Sequence, residues 1–360
     1  MAEGWDRLTV GPAAADDLSA GGELETFVHS HPQASIYHEP AWLRHIAGSY
    51  GVRPLHLLAR RRKELVGFLP LFVMRTILGE RVAVSSPFSN YGGLLATSPE
   101  AAAQLRDAAA AQASRRHCRY VEIKERRPND WPDAWVQAVD FCSPVIDLRC
   151  GDASQLWKHG LRPKTRNQVR KSIRSGLTMR EAPEEQRGDF LKVHDRAMRD
   201  LGTPAHGRRW FRSLFTLLAA RARVYVVYHE GDPVAAALLL RESRGAVLQN
   251  CLALLSSLEM CPNNLIYWRL IEQGIEQGWE YLDLGRSRIG SGTYRYKMQW
   301  GAEAVISPYM YHFPRQRARP NLPSLHPDNP AFGALIRIWQ RLPVGMARWI
   351  GPAIRRHITT

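Results

Sequence analysis

Apolar and polar positions follow two rhythms along this chain, and the switches between them mark its elements. Short alternating or continuously apolar runs predict strands, and apolar residues returning every three or four positions predict helices. A strand near residues 7–10 leads into helical segments up to about residue 50. The apolar run 55–60 then pairs with 65–73 through the charged turn 60–64, and 82–94 reads as a strand that opens into the Gly92-Gly93 turn. An alanine-rich helix over 99–114 precedes the strand 120–124. After a connector rich in Pro and Trp (128–132), the apolar run 145–148 enters a second half.

That half repeats the logic. The run 224–229, a Glu-Gly-Asp-Pro turn at 230–233 and the run 234–240 form a hairpin signal, and 246–252 makes a further strand. A helix over 263–277 carries Leu265, Trp268, Ile271 and Ile275 at helical spacing and stops at Gly278, the residue type that most often ends a helix. A strand over 281–284 follows, and 305–312 reads as the last one. The expected organisation is α/β (α+β), with mixed sheets flanked by helices: residues 1–150, residues 151–313 with a basic linking helix over 158–175, and a Pro/Arg-rich tail over 314–360. In the tail Phe332, Leu335, Ile336, Trp339 and Leu342, then Met346, Trp349, Ile350 and Ile354, fall at helical spacing. No acid follows Asp328, while Arg337, Arg341, Arg348, Arg355 and Arg356 do. Such a segment either packs on the body or lies on an anionic lipid surface.

Composition narrows the class. A 360-residue chain with 45% hydrophobic residues can bury substantial cores. Its formal charge of +15 favours anionic partners: nucleic acid, phospholipid headgroups, or phosphorylated and carboxylated substrates. The five cysteines are scattered, without a Cys-x-x-Cys pair, so neither a zinc ribbon nor a disulfide framework is supported. The histidines show no paired metal-ligand spacing, and a metal site is not expected. The N-terminus lacks a signal-peptide pattern and no apolar run approaches membrane-spanning length, so the expected location is the cytoplasm.

The candidate chemistry gathers where the strand 281–284 runs out. Asp283, Gly285, Arg286 and Ser287 emerge at its end, a Gly-Ser-Gly turn at 290–292 follows, and Tyr294, Arg295 and Lys297 stand on a short helix. A strand end, a glycine turn and a helix start bring backbone N–H groups and fixed cations to one place, which outlines an anion or oxyanion site. Asp283 is either a base, a group that orients an amine, or an ion-pair partner of Arg286 or Arg295. Cys251 lies in an apolar strand and reads as core, and His38 reads as structural. A second candidate is the all-positive stretch from Lys158 to Arg180, with Lys164, Arg166 and Arg170 on its exposed side and Leu161, Thr165, Val169 and Ile173 as a narrow buried stripe. Like charges at i,i+4 repel, so this face predicts an anionic ligand.

Several segments together, in this order, resemble the FemAB family: Tyr37-His-Glu-Pro-Ala-Trp42, Ser86-Pro-Phe-Ser-Asn-Tyr-Gly-Gly93, Lys164-x-Arg166 with Arg170-Lys171, Leu201-Gly-Thr-Pro204, Asp283-Leu-Gly-Arg-Ser287, Gly292-Thr-Tyr-Arg-Tyr-Lys297 and Trp300-Gly-Ala302. The chain is most similar to FemAB-like proteins associated with exosortase and exopolysaccharide loci (the PEP-CTERM setting), over nearly its whole length. The resemblance implies two tandem GNAT-type acyltransferase folds and amide formation on a primary amine. It makes Lys297 a charge-neutralising group of the transfer site, with Asp283 and Ser287 beside it. Asn90, Tyr91, Arg286, Tyr294, Arg295, Lys164, Arg166 and Arg170 become substrate-binding residues. No tightly bound cofactor is implied. The co-substrate is acyl-CoA or aminoacyl-tRNA, although the chain lacks both the pyrophosphate loop of CoA-dependent GNAT enzymes and the helical-hairpin insertion of some tRNA-dependent members.

The expected function is therefore an N-acyltransferase or aminoacyltransferase acting on a cell-envelope or exopolysaccharide precursor. Its partners would be an anionic or lipid-linked saccharide, tRNA, and the inner leaflet through peripheral contact. The competing expectation is a non-catalytic nucleic-acid or lipid-surface binder on a degenerate GNAT scaffold.

Overall fold

The structure, a computed structural model, describes residues 7–314 and 333–359. Two sheets belong mainly to the first half and one to the second. In the first half, Leu8–Pro12, Leu57–Arg61, Glu64–Leu69 and Leu95–Ala96 form a four-stranded sheet in that order. A six-stranded sheet contains Arg53–Pro54, Leu71–Arg75, Arg81–Ser85 and Val121–Lys124. The run expected as one strand over 65–73 is thus two strands on two sheets, Glu64–Leu69 and Leu71–Arg75. Pro70 sits at the break, where its missing N–H cannot continue a ladder.

The second half is built on Thr178–Glu181, Ala222–His229, Asp232–Arg241, Gly245–Ala253 and Tyr281–Asp283, with Phe141–Asp147 beside the last of these. Phe141–Asp147 precedes residue 150, yet it pairs only with strands of this sheet. The single strand expected over 305–312 is also two. Glu303–Ile306 pairs with Phe141–Asp147, whereas Tyr309–His312 returns to the first half and pairs with Val121–Lys124. The halves are interleaved through these two strands.

Gly245–Ala253 and Tyr281–Asp283 run parallel, joined by the helix Pro262–Glu276, as a parallel pair requires a crossover. They pair only from Gly245↔Tyr281 to Val247↔Asp283. Gly285 then takes φ +77°, and a Cβ there would lie 2.4 Å from the Leu248 carbonyl oxygen, so only glycine lets the chain turn away at this point.

The basic helix forms as Pro163–Arg174, with Pro163 in its first turn, and packs on Pro262–Glu276. Leu161, Thr165 and Val169 are buried as expected, but Ile173 is half-exposed and Ser172 is buried in its place. In the tail, Gly333–Gln340 and Val344–Arg355 are helical and contact the helix Arg187–Asp200. Trp339 is buried, while Trp349 is 84% exposed together with Leu335, Ile338 and Met346. Phe332 lies outside the described residues. Arg199 Nη1 donates to Leu342 O at 2.8 Å, and Lys124 Nζ donates to Thr359 O at 2.7 Å, so the tail ties the second half back to the first. No helix among the described residues is long and apolar enough to cross a membrane.

Candidate active site

Side chains alternate along a strand, and this places one set of polar residues on a single face of the second sheet. Ser143, Val145 and Asp147 come from one strand, Tyr281 and Asp283 from its neighbour, and Glu303 and Val305 from a third. Loops of the first half, including Ser30–Ser35, Tyr91–Leu95 and Glu125–Arg127, face them across a cleft of about 940 Å³. The opposite side of the same strands, with Ile146, Leu282 and Leu284, is core.

Asp283 is a fully buried carboxylate of this wall. Its Oδ1 accepts from Gly285 N at 2.7 Å and its Oδ2 accepts from the Tyr91 hydroxyl at 2.9 Å. Burial raises its pKa, opposed by Arg126 and by these two hydrogen bonds. Lys297 is buried behind it, and Nζ donates to Gly285 O at 2.8 Å and Arg286 O at 3.2 Å. Desolvation lowers its pKa to about 8, although the charge of Asp283 pulls the other way. The ammonium therefore holds the carbonyls of the strand-end turn in place, next to the carboxylate.

The other expected residues are distributed around this pair. Asn90 donates to the Tyr37 hydroxyl at 3.0 Å, and Tyr37 in turn donates to Gln249 at 2.6 Å. Arg286 bonds the Tyr309 hydroxyl and lies over the Phe141 ring at 4.7 Å. Ser287 is buried and its Oγ has no partner. Tyr294 is half-buried, and Arg295 is exposed with Nη1 on Gly290 O at 2.5 Å. Of the expected residues only Asp283 and Tyr91 line the cleft. On the basic helix, Lys164 is exposed, Arg166 Nη1 donates to Trp157 O, Lys158 O and Leu161 O, and Arg170 lies over the Trp157 ring at 5.4 Å. These three do not line the cleft either.

Charges that sequence reasoning missed complete the wall. Arg126 pairs with Glu242 at 3.5 Å, donates to Ala34 O at 3.1 Å, and lies over the rings of Tyr91 and Tyr281 at 4.9 and 5.4 Å. Glu242 also accepts from Ile36 N at 2.8 Å and from the Tyr281 hydroxyl. Glu125 is buried with its carboxyl pushed up to about 7 by desolvation, and accepts from Leu94 N at 3.3 Å. The available signal was a strand over 120–124 ending directly in Glu125-Arg126, the same arrangement as at Asp283. Seven carboxylates line the cleft against four arginines, in a chain whose formal charge is +15. Carboxylates outnumber arginines in this lining, a balance opposite to that of the chain as a whole.

His38 also reaches the cleft, but Nδ1 bonds Ser35, Nε2 bonds Gly93 O at 3.2 Å, and burial holds its pKa down to about 3. It remains neutral and structural. Burial raises the Cys251 thiol to about 12, which leaves it no thiolate for nucleophilic attack.

Residues 163–298 match the family described as acetyltransferase (GNAT) domain. That match spans less than half of the chain. Three solved structures, one of them a tandem GNAT protein, share the fold over most of the chain. FemX superimposes with a TM-score of 0.62 at 12% identity, covering 84% of this chain and 96% of FemX. A tandem GNAT protein from the clavulanic acid biosynthesis pathway gives 0.57 at 12% identity, over 87% of this chain and 100% of that one. L-PGS from Bacillus licheniformis gives 0.54 at 12% identity, over 92% and 98%. No curated protein matches the chain by sequence. Asp283 and Lys297 both lie within the matched segment.

Proposed function

We propose that this chain is an N-acyltransferase or aminoacyltransferase that forms an amide on an amine of a cell-envelope or exopolysaccharide precursor. One observation carries the reading: a buried carboxylate with a raised pKa, Asp283, stands in the segment similar to GNAT domains and forms part of the wall of a large, carboxylate-rich cleft between the two halves. The acceptor amine enters the cleft as a cation and gives its proton to Asp283. Its nitrogen then attacks the donor carbonyl carbon; as the tetrahedral intermediate collapses, the bond to the donor's sulfur or oxygen breaks, the leaving group takes up the second proton shed by the nitrogen, and Asp283 returns its own proton to solvent. Lys297 balances the negative charge that gathers near the strand-end turn. Tyr91 fixes the carboxylate from the other half of the chain.

The donor is acyl-CoA or aminoacyl-tRNA. Either is an anionic carrier, and Lys164 on the basic helix is an exposed cation suited to it. The exposed apolar face around Trp349, flanked by arginines, supports peripheral contact with an anionic inner leaflet. Transfer assays with acyl-CoA and aminoacyl-tRNA donors against amine acceptors, run on the wild type and on Asp283→Asn, test the proposal. Transfer by the wild type that is lost in the variant is expected. Equal transfer by both would remove Asp283 from the chemistry.

A further inference from the structure

A second cavity of about 340 Å³ lies at the edge of the six-stranded sheet. Its charged lining is Arg53, Arg75, Arg81, Arg116 and Arg356, with His357, and no carboxylate lines it. Arg75 and Arg81 are direct cross-strand partners on antiparallel strands, an arrangement in which like charges destabilise the pair. Among the described residues no ion pair to any of the five arginines is found, whereas the nearby Glu80 is taken up by Arg119 at 2.6 Å. The contacts that three of them do make run from Nη1 to neutral acceptors, one each for Arg75 (Gly79 O) and Arg81 (Arg116 O) and two for Arg116 (the backbone and side chain of Gln112). A guanidinium carries five N–H donors, so most of the donors around this cavity remain free for a ligand.

We propose that this pocket is a phosphate-binding site, separate from the Asp283 cleft, that takes a phosphomonoester or diphosphate group. Guanidinium forks match phosphate oxygens in geometry as well as charge, and a polyanion removes the repulsion between Arg75 and Arg81. The hairpin tip between these two arginines carries Ile77 and Leu78, 59% and 83% exposed. Apolar residues at the rim of an anion pocket suit a phosphate that heads a lipid chain, with the tip entering the interface.

The test uses the full chain, the double variant R75S/R81S, the rim variant I77S/L78S, and R209S/R212S, which removes the same charge from an exposed helix elsewhere. Inorganic pyrophosphate is titrated calorimetrically, and vesicles of phosphatidylcholine with and without phosphatidic acid are co-sedimented with each protein. Wild type and R209S/R212S should bind pyrophosphate alike, and R75S/R81S should bind about tenfold to a hundredfold more weakly. Because the substitution relieves repulsion, its thermal midpoint without ligand should not fall, and pyrophosphate should raise only the wild-type midpoint. Loss of phosphatidic acid vesicle binding in both R75S/R81S and I77S/L78S assigns the phosphate to a lipid headgroup. Loss in R75S/R81S alone assigns it to a soluble phosphate. Equal pyrophosphate affinity in wild type and R75S/R81S, or an equal drop in R209S/R212S, overturns the proposal.

Discussion

The hydroxyl of Tyr91 donates to Oδ2 of Asp283 at 2.9 Å across 192 residues of sequence, and both groups are buried. One residue belongs to the glycine-turn loop of the first half and the other to the strand end of the second. The carboxylate is thus shared between the halves, and neither could present it alone in this orientation.

Asp283→Asn keeps the shape of the side chain but removes its capacity to take a proton. General-base contributions are about 10²–10⁴-fold, so kcat should fall by that range while thermal stability holds, because the amide oxygen still accepts from Gly285 N and the amide N–H can donate to the Tyr91 oxygen. Tyr91→Phe should cost far less, since it leaves the carboxylate in place and loses one hydrogen bond. Parallel rate and melting measurements check both. A Tyr91→Phe loss as large as that of Asp283→Asn would mean that Tyr91 itself meets the substrate.

Much of this site could be read from local pattern and the rest could not, for identifiable reasons. The strand end at Asp283, the short helix bearing Lys297 and the helix opened by Pro163 depend on neighbours within a few residues, which a period or a cap reveals. The pairing of Arg126 with Glu242 joins residues 116 positions apart by sequence number, and no local rhythm encodes it. The same holds for the return of Tyr309–His312 to the first half. Ile173 shows a different failure. A repeat of exactly four residues drifts by about 40° per step around a helix of 3.6 residues per turn, so two steps from Thr165 carry Ile173 out of the buried face. Ser172, three residues after Val169, comes back into it.

Lys297 titrates near 8 in the folded chain. The ammonium, which the proposed mechanism uses to balance charge, is present below that value and lost as pH rises through it. Turnover should therefore decline above about pH 8, on top of the rise at lower pH as Asp283 ionises. Lys297→Arg, charged at all accessible pH values, should shift the alkaline decline upward at a reduced rate. Lys297→Ala should lower turnover and abolish that limb. A pH–rate profile of residual Lys297→Ala activity that still bends near 8 would assign the limb to another group.

Glu125 makes stability depend on pH. Its carboxyl lies near 7 when folded, against an ordinary value of 4.5. A raised folded pKa means that the stabilisation is complete below about pH 4.5 and lost as pH climbs through 7. At about 1.4 kcal/mol per pH unit over that window, the loss by pH 8 is on the order of 3 kcal/mol. Denaturant titrations at about pH 5.5 and about pH 8 should show about 2 kcal/mol of this decline, and Glu125→Gln should flatten it. Gly93→Ala should disturb the same carboxyl, because a Cβ there would meet it at 2.7 Å. A decline of the same size in Glu125→Gln would place its origin elsewhere.

Two tryptophans of the tail, ten residues apart, should separate its structural and surface roles. Trp339 is buried, and its ring lies near Gly351, where a Cβ would come within 3.7 Å of it. Trp339→Ala should cost about 3–5 kcal/mol, as for other large-to-small core changes. Trp349 is 84% exposed, so Trp349→Ser should leave stability within about 0.5 kcal/mol. With Leu335, Ile338 and Met346 also exposed and Arg337, Arg341 and Arg348 in the same segment, Trp349 offers apolar insertion in a segment whose cations favour anionic lipid. Co-sedimentation with anionic vesicles should therefore weaken in Trp349→Ser at unchanged fold, and added salt should weaken it in the wild type as well. Vesicle binding by Trp349→Ser equal to wild type would leave the helices with the structural role that Trp339 already demonstrates, and would confine lipid contact to other parts of the surface.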